Sequence, residues 1–333
     1  MRELKINRGE TVTALFEEMR TRCEAARRAV VITHIDPDGD AIGTQLAFGE
    51  YLKTLGKQCV LVRDSEIPGK YAFLPGIDHI VPVASLNGDL GFDLVVVLEC
   101  PSHLRMGSAA RLVTDQSVVI NIDHHPDSTV AGDVDWIDTR ASSVGEMAYE
   151  YFSAIRFPVT PQVATQLYTA ILTDTGRFRF ESTTPRALAV AGELVALGAD
   201  PRTICDKIYF DLDPATMKLT GRVLNGISYC AGGRVCVLTL TRAMMKEVGA
   251  VEGSVEGLVD YTLLTKGVVI GVLIKEVSDH LTKLSLRSRG SVNVAEIASK
   301  LGGGGHPNAA GGRFEAGLEE ARKKIISILE AAL

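Results

Sequence analysis

Within seven positions, His34, Asp36, Asp38 and Asp40 place one imidazole and three carboxylates. Glu99, the triplet Asp123-His124-His125, and Asp174 add further groups of the same kinds. Imidazoles and carboxylates without thiolates suit Mn²⁺, Mg²⁺, Co²⁺ or Zn²⁺ better than a cysteine-built structural zinc site. More than four such ligands point to two ions, which at about 3.5–4 Å apart clamp the attacking and leaving oxygens of a phosphoryl group. Each piece also has a plainer reading. Asp-Pro-Asp-Gly at 36–39 is turn chemistry, and Asp40 suits the N-cap of a following helix. A histidine is often a hydrogen-bonded core residue, and Asp174 sits where a helix would end. What favours the metal reading is concentration, because three carboxylates at one helix start repel one another unless a cation neutralises them.

The elements that must position these groups read as strands alternating with helices. Short apolar, β-branched runs at 30–33, 94–98 and 118–122 are buried parallel strands, with another strand at 58–63. The first three run into His34, Glu99 and Asp123-His124-His125. In an open α/β sheet, ligands bind beyond the carboxyl ends of the strands. Helices are expected at 12–23, 41–55 and 162–172, the last delivering Asp174. Ser143 and Glu146 form an S-x-x-E capping box for a helix through 152, and another helix runs from 185 to 197. Arg20, Arg22, Arg27 and Arg28 read as the solvated side of the first helix. The stretch 67–93 reads as turns. Alternation throughout this half implies a doubly wound, mainly parallel sheet.

Near residue 200 the texture changes. Asp200-Pro201 reads as a break, and a charged connecting stretch follows to 225. Strands at 234–240, 268–277 and 281–289 come next, then Gly302-Gly303-Gly304-Gly305-His306 and a helix from 318. The 281–289 strand alternates, with Lys283, Ser285, Arg287 and Arg289 on one face. The expected organisation is a domain over 1–199, a linker over 200–225 and a smaller α/β domain over 226–333, with a cleft between the domains. The glycine run is a flexible turn or a cradle of backbone amides for a phosphate. Arg105 is a phosphate contact or one half of an ion pair.

Composition narrows the classes. A chain of 333 residues, 46% of them hydrophobic, supplies two cores. Its net charge of −6 argues against a surface that tracks long duplex nucleic acid, although a small phosphorylated ligand is still compatible. The six cysteines contain no C-x-x-C pair, as expected of reduced thiols in the cytoplasm. No apolar run reaches the length of a membrane span, and no signal-peptide core is evident at the start.

Together, H-x-D-x-D-x-D at 34–40, the carboxylate at 99, Asp123-His124-His125 and Asp174 resemble the four motifs of the DHH phosphoesterase superfamily. Arg287 and the GGGGH-P-N-A-A-G tail at 302–311 resemble its associated C-terminal domain. Nearly the whole chain is covered, and the layout is most similar to the NrnA-like branch of oligoribonucleases and 3′-phosphoadenosine-5′-phosphate phosphatases. The resemblance implies two Mn²⁺ ions, with Mg²⁺ or Co²⁺ as substitutes. His34 and Asp38 would hold one ion, and Asp40, His124 and Asp174 the other, with the carboxylate at 99 between them. That position is usually aspartate; here it is Glu99. His125 would face the phosphate and Asp123 would orient the histidines. Arg287, Gly303, Gly304, Gly305 and His306 would hold the substrate's far phosphate.

The expected activity is a two-metal hydroxide attack on short oligonucleotides, linear dinucleotides or 3′-phosphoadenosine 5′-phosphate. Cyclic-di-AMP hydrolysis and a catalytically weakened nucleotide-binding regulator stand as alternatives. The assembly is left open between a monomer and a homodimer.

Overall fold

The computed structural model describes residues 10–88, 90–250 and 257–333, with the backbone alone at 10, 11 and 306. Two compact units divide between Asp211 and Leu212. In the first, β1 (Arg28–Ile32), β2 (Gln58–Arg63), β3 (Ile80–Pro82), β4 (Leu94–Leu98), β5 (Val118–Asp123) and β6 (Val134–Ile137) form one parallel sheet. The strand order is β3-β2-β1-β4-β5-β6, so chain direction across the sheet reverses between β1 and β4.

Both faces are covered, which is why the strands are continuously apolar rather than alternating. Ala29, Val31, Leu94, Val96 and Leu98 pack against a layer of α1 (Glu10–Ala25), α2 (Gly39–Thr54), α3 (Val144–Ala154), α4 (Pro161–Asp174) and α5 (Pro185–Ala196). Val30, Ile32, Val95 and Val97 face the other way, under 3-10 turns at Val83–Ser85 and His103–Leu112. Buried Gln45 of α2 donates from Nε2 to the carbonyls of Val31 and Val62, at 2.9 and 2.8 Å, tying the helix to two strands.

Three local expectations change. The turn-rich stretch 67–93 contains β3, too short to show a period in sequence. Asp200-Pro201 does not break the chain: Asp200 accepts from the Arg202 amide and Pro201 begins α6 (Pro201–Tyr209). Asp213-Pro214 repeats the device at α7 (Pro214–Asn225), because proline lacks the amide that the first helical turn leaves unused anyway. At α3, the Ser143 hydroxyl accepts from the Glu146 amide as expected. The Glu146 carboxylate does not return to Ser143, however. It accepts from the Ser142 amide at 3.1 Å and pairs with Arg186 at 2.8 Å, a stronger, charged partner.

The second unit holds β7 (Ser228–Cys230), β8 (Val235–Leu240), β9 (Ile270–Ser278), β10 (Leu281–Ser288), β11 (Gly304–His306) and β12 (Ala309–Phe314), in the order β11-β12-β10-β9-β8-β7. Among the described residues of this unit, only β8 and β9 pair in parallel. Val272, Ile274, Leu284 and Leu286 form a core with α8 (Val294–Ser299) and α9 (Leu318–Ala331). On the opposite face, Leu238, Leu240 and Leu273 pack with Leu219 and Val223 of α7.

The second half of the glycine run, Gly304-Gly305, therefore lies in an edge strand rather than a loop. Glycine is required in this run because a Cβ on Gly303 would lie 2.0 Å from the Gly311 carbonyl oxygen. Gly305 adopts φ +137°, a region closed to other residues.

Candidate metal centre

The chemistry gathers where the strand order reverses. Thr33-His34 leaves the carboxyl end of β1, Glu99 follows β4, and β5 ends in Asp123 with His124 and His125 next. Asp38 is the N-cap of α2: its Oδ1 accepts from the amides of Asp40 and Ala41 at 3.0 and 3.1 Å. The capping role suggested for Asp40 thus belongs to Asp38. Asp40 is fully buried and reaches across to the start of α3, where it accepts from the amides of Val144 at 2.7 Å and Gly145 at 2.8 Å. Unpaired amides at a helix N-terminus are the natural partners of a carboxylate.

Three groups of side chains have ligand atoms within 4.8 Å of one another: His34 with Asp38 and Glu99, Asp40 with His124 and Asp174, and Glu99 with His124 and His125. All six residues expected to hold metal meet here, from four separated segments of the chain. The third group links the other two through Glu99 and His124.

Neighbours aim the imidazoles. His34 Nδ1 lies 2.7 Å from the Ile35 carbonyl and 2.9 Å from Arg105 Nη2, while Nε2 stands 3.0 Å from Glu99 Oε2. His124 Nδ1 faces the Ala141 carbonyl at 3.2 Å, and its Nε2 is 3.4 Å from Asp174. Asp123 Oδ1 accepts from the amides of His124 and His125 and lies 2.8 Å from His125 Nδ1. The carbonyls of Ile35 and Ala141 carry no side-chain signature, so sequence reasoning missed them. Arg105, expected at a phosphate or in an ion pair, contacts His34.

Burial decides the protonation states. It drives the Glu99 carboxyl well above its ordinary range, helped by the charges of Asp38, Asp40 and Asp174. It pushes Asp40 up to about 7 and Asp174 up to about 8. Burial also lowers His34 and His124, keeping them neutral. At His125 and Asp123, burial is outweighed by their mutual hydrogen bond and attraction, so the imidazole is raised and the carboxyl lowered.

These residues fit divalent cations. Glu99 is 2% exposed and Asp123 fully buried, yet Glu99 Oε2 and Asp123 Oδ2 have no hydrogen-bond donor. His34 Nε2 stands 3.0 Å from Glu99 Oε2, so a cation placed there would be ligated by both. Glu99 also holds φ at +52°, unusual for glutamate, so the turn after β4 is strained to aim this carboxylate.

A stability test follows from the raised carboxyls. In chelator, the folded protein binds more protons than the unfolded chain between the ordinary carboxyl range and about 7 to 8. Stability should therefore fall as pH rises through that window. His125 acts in the same sense, whereas His34 and His124 act oppositely only below their ordinary value near ~6.5. The thermal midpoint should drop between about pH 6.5 and pH 8.5, and Mn²⁺, which binds the deprotonated groups, should abolish the drop. A midpoint in chelator that rises over this range would contradict the assignment.

Comparison with known proteins gives the same division. Residues 28–171 match the model of the DHH family, N-terminal domain, and residues 232–333 match the DHHA1 domain. A Thermus thermophilus protein, the bifunctional oligoribonuclease and PAP phosphatase NrnA, is 32% identical over 96% of this chain and 95% of its own. The Bacillus subtilis protein of the same name is 28% identical, over 84% of this chain and 86% of its own. The crystal structure of an exopolyphosphatase-related protein from Bacteroides fragilis superposes with a TM-score of 0.86 at 25% identity, covering 96% of this chain and 97% of that one.

Proposed function

Because the chain belongs to the DHH family and carries a DHHA1 domain, we propose that it is a divalent-metal-dependent phosphoesterase of small nucleotides. Its substrates are short oligonucleotides, cleaved to mononucleotides, and 3′-phosphoadenosine 5′-phosphate, converted to AMP. The observation that carries this reading is the pair of ligand groups joined by Glu99 and His124 at the sheet's switch point. Two relatives whose names state these activities support it over nearly the full chain.

His34, Asp38 and Glu99 would hold one ion, and Asp40, His124 and Asp174 the other, with Glu99 between them. An imidazole and carboxylate set without thiolate fits Mn²⁺ first, then Mg²⁺ or Co²⁺. When bound, such ions supply Lewis-acid charge neutralisation at a phosphoryl group and lower the pKa of water. The chain's own residues do the rest. Asp123 fixes His125 through Nδ1, so His125 Nε2–H can donate to a phosphoryl oxygen and meet the charge that builds on it. Its attraction to Asp123 raises the proton affinity of His125 and so favours the charged donor. Arg105 and the Ile35 carbonyl hold the His34 ring from behind.

Asp123→Asn keeps the shape but weakens the hold on His125. It should lower kcat about 10–100-fold with metal content unchanged. The basic limb of the pH–rate profile should move to lower pH, because the imidazolium loses its carboxylate partner. An unmoved limb would remove His125 from the reaction.

The deciding experiment is a substrate panel with Mn²⁺, Mg²⁺ or Co²⁺ and separated products. It contains 3′-phosphoadenosine 5′-phosphate, RNA dimers to pentamers, linear and cyclic dinucleotides, and pyrophosphate. Turnover of the bisphosphate and short RNA, releasing mononucleotides, supports the proposal. Turnover of cyclic dinucleotides or pyrophosphate alone overturns it, as does tight nucleotide binding without hydrolysis.

A further inference from the structure

Two ligands of one proposed ion are aimed by backbone groups of a single segment, residues 138–146, which runs from the end of β6 into the first turn of α3. The Ala141 carbonyl faces His124 Nδ1 at 3.2 Å. The amides of Val144 and Gly145 donate to Asp40 at 2.7 and 2.8 Å. His124 and Asp40 belong, with Asp174, to one ligand group. A shift of this segment would therefore turn the His124 ring and displace the Asp40 carboxylate together.

The two ends of the segment meet at one guanidinium. Arg186 Nη1 is 3.2 Å from Asp138 Oδ2 at the start, and Nε is 2.8 Å from Glu146 Oε1 at the end. Nη2 pairs with Glu150, one turn further along α3. Arg186 is the second residue of α5, after its N-cap Thr184 and Pro185. A cation in the first turn of a helix opposes the helix dipole, so its placement answers to the carboxylates and not to α5. Glu146 is fully buried, as are Ser142 and Ser143. A buried ion pair is often no more stabilising than neutral groups of the same size. What this one does is fix a geometry.

Glu146 acts on His124 through one peptide group. Its Oε2 accepts from the Ser142 amide at 3.1 Å and from the Ser142 hydroxyl at 2.5 Å. That amide and the Ala141 carbonyl are the two ends of the same peptide. A carboxylate at the N–H end polarises the group, which makes the carbonyl oxygen a better acceptor. A carbonyl only accepts, so its contact with His124 places the proton on Nδ1 and leaves Nε2 toward Asp174, 3.4 Å away.

We propose that Arg186 and Glu146 are positioning residues, a clamp on segment 138–146 that aims His124 and Asp40 at one divalent ion and leaves the ion of His34 and Asp38 untouched. The inference rests on the proposed two-ion site and adds the device that tunes one ion separately from the other. Arg186 and Glu146 stand outside the three ligand groups and act only through the segment between them.

The test replaces both charges at once. Glu146→Gln/Arg186→Gln keeps an acceptor for the Ser142 amide and leaves no unpaired charge buried. Arg202→Gln, which removes an exposed arginine of α6, is the control. Full-length, metal-free proteins are titrated with Mn²⁺ by calorimetry. Imidazole tautomers are read in chelator from long-range ¹H–¹⁵N spectra, with His124 assigned through His124→Gln. The wild type should bind two Mn²⁺ per chain and show His124 protonated on Nδ1. In the double variant one Mn²⁺ should bind about 10–100-fold more weakly and the other should change less than about threefold. The Nδ1–H form of His124 should lose population to the other tautomer. Turnover at limiting Mn²⁺ should fall with the weaker site and recover as Mn²⁺ is raised. Equal weakening of both ions, an unchanged tautomer, or the same effects in Arg202→Gln would overturn the clamp.

Thermal midpoints confirm folding. Should the double variant unfold, Arg186→Lys decides, because one ammonium cannot span Asp138 and Glu146 as the guanidinium fork does. It should show the same weakening of a single ion, and two undisturbed ions would overturn the clamp. If the wild type binds no Mn²⁺, the proposed function fails. A His124 tautomer that changes only in the clamp variants would then still support the clamp, and an unchanged one would end it.

Discussion

His124→Ala should reduce turnover of every substrate by at least about 1000-fold while leaving the protein folded. His124 belongs to two of the three ligand groups, with Asp40 and Asp174 on one side and with Glu99 and His125 on the other. Losing it empties one proposed ion site and weakens the link to the next. Orienting groups behind a metal ligand are already worth about 10–100-fold, and removing a ligand takes the transition-state stabilisation of an ion with it. His124 isolates this effect better than Asp40 does, because Asp40 also accepts from the amides that open α3. The His124 ring faces the Ala141 carbonyl through Nδ1 and Asp174 through Nε2, whereas it bonds no helix-opening amide. Metal content by mass spectrometry should fall by at least one ion per chain, with the chelator-treated thermal midpoint shifting by only a few degrees, or about 1 kcal/mol. Undiminished turnover, or full metal content, would sink the two-ion assignment.

Gly43→Ala should be the most destabilising methyl addition at the centre, although position 43 touches no ligand. A Cβ there would lie 2.3 Å from the backbone carbonyl oxygen of Gln166 on α4 and 3.3 Å from the Ala170 side chain. The first contact is with main chain, which cannot rotate away, so α2 and α4 must move apart. Overpacking of this kind costs about 1–3 kcal/mol, occasionally more. For a unit of this size each kcal/mol is about 2–4 °C, so the midpoint should fall by about 2–12 °C. Activity should fall too. α2 carries Asp40 and α4 ends at Asp174, and the two must stay close enough to share His124. A variant with unchanged midpoint and metal affinity would show that the close approach of the two helices is not needed.

Much of the centre was legible before the fold. The runs 30–33, 94–98 and 118–122 declare buried parallel strands because both faces are covered, and polar residues directly after such runs must lie at the strand ends. His34, Glu99 and His124 therefore share one edge of the sheet on pattern alone. Asp174 was legible as the end of a helix, since Thr160 and Pro161 mark where α4 begins. Short elements were not legible: β3 has three residues, too few to show a period. The helices α6 and α7 are not legible either: Asp200-Pro201 reads as a break although it is a cap followed by a first turn, and α7 lies in what reads as a charged connection. The glycine run gave no strand signal, since a strand without side chains has no alternation to detect.

The sequence by itself determined the available chemistry: imidazoles and carboxylates able to ligate, no thiolate among them, and strand ends that deliver most of them. Residue types and strand periodicity are local properties, and local properties survive in one dimension. Only the tertiary structure decided the division of labour. Asp38 turns back to cap its own helix, whereas Asp40, two residues on, crosses to the amides of α3. Arg105 arrives at His34 from 71 positions away. These are long-range pairings, fixed by which helix ends, glycine contacts and strand registers meet in space, and no spacing along the chain encodes them.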